Sequence, residues 1–65
     1  MDWRNNKNEK PEEYRELLLI DINGHVNVGI FINGENPHYR IRGDWDDLIC
    51  KDENIKYWQY IELPE

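Results

Sequence analysis

Cysteine is almost missing from this 65-residue chain: Cys50 stands alone, so no disulfide forms within it, and with no Cys-x-x-Cys step a zinc knuckle is excluded. Long apolar runs are missing as well. The longest, "LLLI", falls far short of the roughly 20 residues that cross a bilayer, so no membrane association is expected. "MDWRNNKNEK" holds no apolar stretch of the kind a signal peptide needs, and a lone free thiol suits a reducing compartment, so the expected location is cytoplasmic. Cations are scarce: eight Lys and Arg stand against 14 Asp and Glu, a net charge of −6. A protein that grips nucleic acid directly does so with clustered cations that release counterions from phosphates. This chain has no such cluster, which argues against direct nucleic-acid binding. Its field attracts basic surfaces instead.

What the chain does have is aromatic residues and local acidity. Sixty-five residues make a single domain, 1–65, and a domain this small buries only about 60% of its unfolded surface. It needs either a dense core or a partner copy to be stable. Eight aromatics (Trp3, Tyr14, Phe31, Tyr39, Trp45, Tyr57, Trp58 and Tyr60) point to the first and leave a homo-oligomer open. The charge is uneven. Residues 1–42 carry seven acids and six bases, whereas 43–65 carry seven acids against only Lys51 and Lys56.

The strand signals are clear in the first half. "RELLLIDI" and "HVNVGIFI" flank Asn23-Gly24, a strong hairpin signal. A two-residue turn would pair Ile22 with His25. A three-residue loop, Ile22-Asn23-Gly24, pairs Ile20 with Val26 and gathers Leu18, Ile20, Val26, Val28 and Ile30 on one apolar face. Because a one-residue slip turns every side chain over, burial of that face selects the three-residue loop, with Gly24 in the left-handed conformation as a G1 bulge. "YRIR" reads as a further strand. "KPEEYRE" reads as a helical turn or a bend. "GDWDDLICKDEN" has poor strand character, and Asp44 is placed to cap a single helical turn through Leu48 and Ile49. In "IKYWQYIEL", Ile55, Tyr57, Gln59, Ile61 and Leu63 alternate with Lys56, Trp58, Tyr60 and Glu62, so both faces are apolar and the strand is expected to be covered on both sides. The expected fold is mostly β: a small antiparallel sheet of four or five strands, with a partly open SH3-like barrel as its curled form and at most one short helical turn.

"KPEEYRELLLIDINGHVNVGIF" followed by "IKYWQYIELP" resembles the phage- and prophage-associated domain of unknown function 551. Trp3, Pro11, Glu12, Gly29, Trp58, Leu63 and Pro64 fall on that family's pattern. The chain departs from it at the end, where Gln59 to Glu62 precede Leu63-Pro64 in place of a single residue followed by Pro-Leu-Pro. The resemblance implies a small β-rich domain from a phage or mobile element and carries over no functional residue.

Catalytic chemistry finds little support in the sequence. His25, His38 and Cys50 lack ligand-like spacing, so no metal is expected. Cys50 has only Lys51 beside it to lower a thiol pKa, and the nearby acids act the other way. Asp46 and Asp47 could share acid–base work or hold magnesium, but no Gly-rich phosphate loop accompanies them. Neither enzymatic activity nor a cofactor is expected. The acidic stretch is more informative. Asp44, Trp45, Asp46, Asp47, Asp52 and Glu53 form the candidate partner-binding set, in which Trp45 is either an interface anchor ringed by charge or a residue turned inward. The expected function is stoichiometric binding to a host protein with a basic surface, as a phage-encoded inhibitor of a CRISPR effector or nuclease. The alternatives are a structural or assembly module, including a homo-oligomer joined through strand edges, and a binder of a small ligand over Gly29 and Trp58.

Overall fold

A computed structural model describes residues 3–43 and 46–62. Six strands, β1 (Arg4–Asn5), β2 (Leu17–Asp21), β3 (Val26–Ile32), β4 (His38–Ile41), β5 (Leu48–Lys51) and β6 (Ile55–Tyr60), form one sheet in the order β1-β6-β2-β3-β4-β5. Every pairing is antiparallel. The sheet is open, with β1 and β5 at its edges. The expectation of a mostly β, antiparallel fold holds. The strand count exceeds four or five because two short pieces join the sheet, the two-residue β1 and the four-residue β5.

The hairpin register is the one the turn chemistry demands. Ile20 lies opposite Val26, the Asp21 N–H donates to the His25 carbonyl at 3.0 Å, and Gly24 has φ +84°. Asp21 also caps the loop from its side chain, accepting the N–H groups of Asn23 and His25 at 2.9 Å each. The buried face, however, is the opposite of the one expected. Leu17 and Leu19 are fully buried and Phe31 nearly so, while Leu18, Ile20, Val28 and Ile30 are half-buried and Val26 is 60% exposed.

A tie between strands explains the reversal. Tyr39, Ile41, Ile55 and Trp58 complete the core on the Leu17/Leu19 side. The connection from β1 to β2 crosses that side: the Trp58 indole N–H donates to the Glu9 carbonyl at 3.0 Å, the Glu12 N–H donates to the Tyr60 hydroxyl at 3.0 Å, and Pro11 is buried. "KPEEYRE" is therefore a crossing segment with a turn at Glu13–Tyr14, not a helix.

β6 lies between β1 and β2 and carries the largest core side chain, Trp58, which is 1% exposed. Its alternation is not uniform. Ile20 faces Tyr57 but Asp21 faces Ile55, so Lys56 is an extra residue in the ladder. This bulge resets the phase and brings Ile55 onto the same buried face as Trp58, where strict alternation would have turned it away. Gly29 has a packing role: a Cβ there would collide with the backbone carbonyl oxygen of Arg40 on the adjacent strand. Close approach of two strands requires it.

Gly24 is surrounded by open space, so substitution there tests backbone conformation alone. Gly24→Val should lower stability by about 1–3 kcal/mol, whereas Gly24→Asn, a residue that tolerates left-handed φ, should cost much less. Urea unfolding of the two variants with an unchanged m-value checks this. Equal losses would mean that the loop conformation is not the cause.

Candidate functional site

Among the described residues, the acidic stretch folds as an edge strand that follows Asp46 and Asp47 and runs into a 3-10 turn. The expected helical turn through Leu48 and Ile49 is instead strand β5, and among the described residues the only helical ones here are the 3-10 turn Asp52–Asn54 that follows it. Pairing overrides weak local propensity: Tyr39 faces Cys50 and Ile41 faces Leu48 across the ladder. Asp46 and Asp47 are exposed just before β5, and Glu53 is exposed just after it. The strand thus separates the expected cluster into two groups, one at each end. Asp44 and Trp45 lie outside the described residues.

Ladder alternation shows which backbone groups of β5 point outward. The Arg42 N–H donates to the Val28 carbonyl at 2.9 Å, so the hydrogen-bonded pairs between β3 and β4 are 28/42, 30/40 and 32/38. Tyr39 and Ile41 then direct their backbone groups to Cys50 and Leu48. Ile49 and Lys51 direct theirs away from the sheet. The side chains alternate as well. Asp47, Ile49 and Lys51 lie on the outer face, and Leu48 and Cys50 on the core side. Leu48 is 65% and Ile49 70% exposed, an unusual load of apolar surface for a free edge. Beside Leu48 and Cys50, an open groove of about 460 Å³ is lined also by Asp21, Asn27 and Ile41.

Asp52 differs from the other acids because the fold already uses it. Its carboxylate receives Lys10 Nζ at 2.9 Å on both oxygens and Asn6 Nδ2 at 3.0 Å. Asn6 is the only buried polar residue among those described, 3% exposed, and every polar group it has is engaged. Its Nδ2 also donates to the carbonyls of Asp52 and Ile55, its Oδ1 accepts from the Tyr39 hydroxyl, its N–H donates to the Lys56 carbonyl, and its own carbonyl accepts Lys10 Nζ. Nothing in the sequence marks Asn6, since its side-chain partners stand 33 to 49 residues away.

The remaining polar candidates have structural surroundings. His25 is exposed, 3.6 Å from the Asp21 carboxylate, and His38 Nδ1 lies 2.9 Å from the Asn36 carbonyl. Among the described residues no three His, Cys, Asp or Glu side chains gather as a metal site. Cys50 is partly buried; burial first, and the Asp21 charge second, push its thiol pKa up, away from a reactive thiolate. Trp58 and Gly29 are both buried, on strands separated by β2, and Gly29 borders a small open hollow lined also by Val28, Arg40 and Asp47.

No family model, no curated protein and no solved structure matches this chain. These comparisons neither support nor overturn the likeness to the phage-associated domain, which rests on the residues quoted for it. Of these, Pro11, Gly29 and Trp58 are buried, while Leu63 and Pro64 lie outside the described residues.

The tie between Asn6 and Tyr39 gives the site a pH signature. Burial first, then the charges of Asp52 and Cys50, raise the Tyr39 phenol above its ordinary value of 10.0. The folded state therefore holds this proton more tightly than the unfolded chain does. Its contribution is complete below the unfolded value and is lost as pH rises past 10, and Cys50 acts in the same direction from its own ordinary value of 9.0. Urea unfolding between pH 8 and pH 11 should show a steep alkaline loss. Tyr39→Phe should be about 1–3 kcal/mol less stable at pH 8, because it leaves the Asn6 Oδ1 acceptor without a donor, yet should lose less on going to pH 11. An unchanged alkaline slope in Tyr39→Phe would exclude this phenol as its source.

Proposed function

We propose that this protein is a non-enzymatic binding module that engages a protein partner along the β5 edge. The observation that carries the reading is the edge itself. Ile49 and Lys51 turn backbone donors and acceptors outward, beside two exposed aliphatic side chains, in a strand with no proline or bulge to protect it. An extended segment of a partner can add to such an edge, drawing affinity from main-chain hydrogen bonds and specificity from alternating side chains.

The acids give the edge its electrostatic preference. Asp46 and Asp47 stand at one end of β5 and Glu53 at the other, so a segment flanked by lysine or arginine is attracted at both ends. A host protein with a basic surface is the class of partner this favours. The resemblance to a phage-associated family directs the search to a CRISPR effector or nuclease whose basic groove handles nucleic acid, which makes inhibition by occupancy the expected consequence. Asp52 contributes less to this attraction, because Lys10 already faces its carboxylate.

Affinity capture from bacterial lysate at low and high salt tests the reading. Binding should weaken steeply as salt rises, since contacts between exposed charges are screened within about 10 Å at 0.1 M. Asp46→Lys with Asp47→Lys should slow association about tenfold or more while changing stability by less than about 0.5 kcal/mol per site, as exposed substitutions usually do. A charge-reversed protein that holds its partner with the same rate constants at all salt concentrations would remove the electrostatic part of the proposal.

A further inference from the structure

We propose that the β5 edge is self-complementary and that a second copy of this chain occupies it, β5 pairing antiparallel with β5 about a two-fold axis at Ile49. The inference rests on the β5 edge being the binding surface and names one partner for it.

The register follows from parity and charge. Only Ile49, Lys51 and the preceding Asp47 have the phase that turns backbone groups outward, so these residues must form the hydrogen-bonded pairs of any added strand. A two-fold pairing then allows few alignments. Centring on Lys51 sets lysine against lysine. Centring on Cys50 sets Asp47 against Glu53 and Leu48 against Asp52. Centring on Leu48 sets Ile49 against Asp47. Centring on Ile49 avoids each of these conflicts from Asp47 to Lys51; the like-charge pair it does set up, Asp46 against Asp52, lies outside the strand, and Lys10 already faces the Asp52 carboxylate. Ile49 meets its own copy, Asp47 meets Lys51 of the second copy, and Lys51 meets Asp47 of the second copy. On the core side, Leu48 meets Cys50 of the second copy, and the reverse.

Each row of this pairing matches in kind. The outer face presents acid, aliphatic, base against base, aliphatic, acid. The core side sets a 65% exposed leucine against a partly buried thiol. Opposite charges and apolar pairs directly across an antiparallel ladder both stabilise it. The result joins two six-stranded sheets into one continuous sheet and leaves the short β1 as its outer edge at either end. A heterologous partner would have to displace the second copy, so self-pairing sets a concentration threshold on binding.

Charge exchange tests the register in the intact protein. Sedimentation equilibrium should show a monomer–dimer equilibrium for the natural chain. Asp47→Lys alone, or Lys51→Asp alone, should weaken it about tenfold or more, because two attractive pairs become repulsive. The double exchange, Asp47→Lys with Lys51→Asp, should restore it to within about threefold, since the pairs are re-formed with the charges swapped. Leu48→Cys supplies an independent readout. It places a thiol opposite the native Cys50 of the second copy in a pair whose Cα atoms are about 4.5 Å apart, within disulfide range. Mild oxidation with copper phenanthroline should give a covalent dimer of Leu48→Cys and not of the natural chain. A natural chain that cross-links through Cys50 as readily overturns the register. A protein that stays monomeric at all concentrations overturns self-pairing. In that second case the Ile49→Lys variant separates the two ideas: loss of a captured heterologous partner leaves the edge reading standing, and retention of that partner sinks both.

Discussion

The buried side chain of Asn6 is the constraint on which the arrangement depends. An open antiparallel sheet has no closing pair of strands to hold its curl, and the two edges here are β1 and β5. Asn6, just after β1, joins the hydroxyl of Tyr39 on β4, the turn at Asp52 and the Ile55 carbonyl at the start of β6. A residue with fewer donors and acceptors would leave at least one of these groups buried without a partner, at about 1–3 kcal/mol each. A chain of this length has roughly 3–10 kcal/mol of stability in all, so one polar side chain commands a large share of it. Lys10 closes the same knot from outside, bridging the Asn6 carbonyl and the Asp52 carboxylate, with a smaller effect because water reaches it.

The one-sided core follows from that tie. Drawing the turn after β1 under Tyr39 carries the chain across the face of Leu17, Leu19 and Trp58, and the carbonyl of Glu9 then meets the Trp58 indole. Aromatic contacts extend the cover outward: Trp58 meets Tyr60 edge to face at 5.0 Å, and the Arg15 guanidinium lies 3.9 Å over the Tyr60 ring. The bulge at Lys56 and the absence of a side chain at Gly29 are the local adjustments that let the strands curve beneath this cover. The outer face has no such crossing segment among the described residues, and its aliphatic side chains stay half-exposed.

This asymmetry also explains what was legible in the sequence. Asn23-Gly24 is a local signal with a local cause, and it gave the hairpin register correctly. The choice of buried face was wrong because β2 and β3 are apolar on both sides, so binary pattern alone could not decide between Leu17/Leu19 and Leu18/Ile20. The deciding contacts come from a segment ending at Glu12 and a tryptophan at 58, too far apart in the chain to leave a periodic trace. β5 was missed for the complementary reason. Its four residues are bracketed by acids and look like a capped turn, and only their pairing to Tyr39 and Ile41 makes them a strand. The acidic set was legible as composition but not as geometry. Residues close in sequence become two separate ends once a strand runs between them, and Asp52 turns out to belong to the Asn6 knot.

The knot and the edge are not independent features. β5 is held on one side by β4 alone, and the residue that follows it is Asp52, fixed by Asn6 and Lys10. Tyr39 sits at the junction: its hydroxyl binds Asn6, and its backbone groups pair with Cys50 in the middle of β5. An edge strand offered to another chain has to remain extended while empty, since ordering it on binding would subtract about 1–2 kcal/mol of conformational entropy per residue from the affinity. Here that ordering is done in advance by the ladder to β4, by Cys50 packed against the core and by the buried polar tie, while Leu48 and Ile49 are largely exposed and contribute little to holding their own strand. The aliphatic surface of β5 is therefore not committed to the fold, and on the proposed reading the strand that binds is held partly by an asparagine that follows the opposite edge strand.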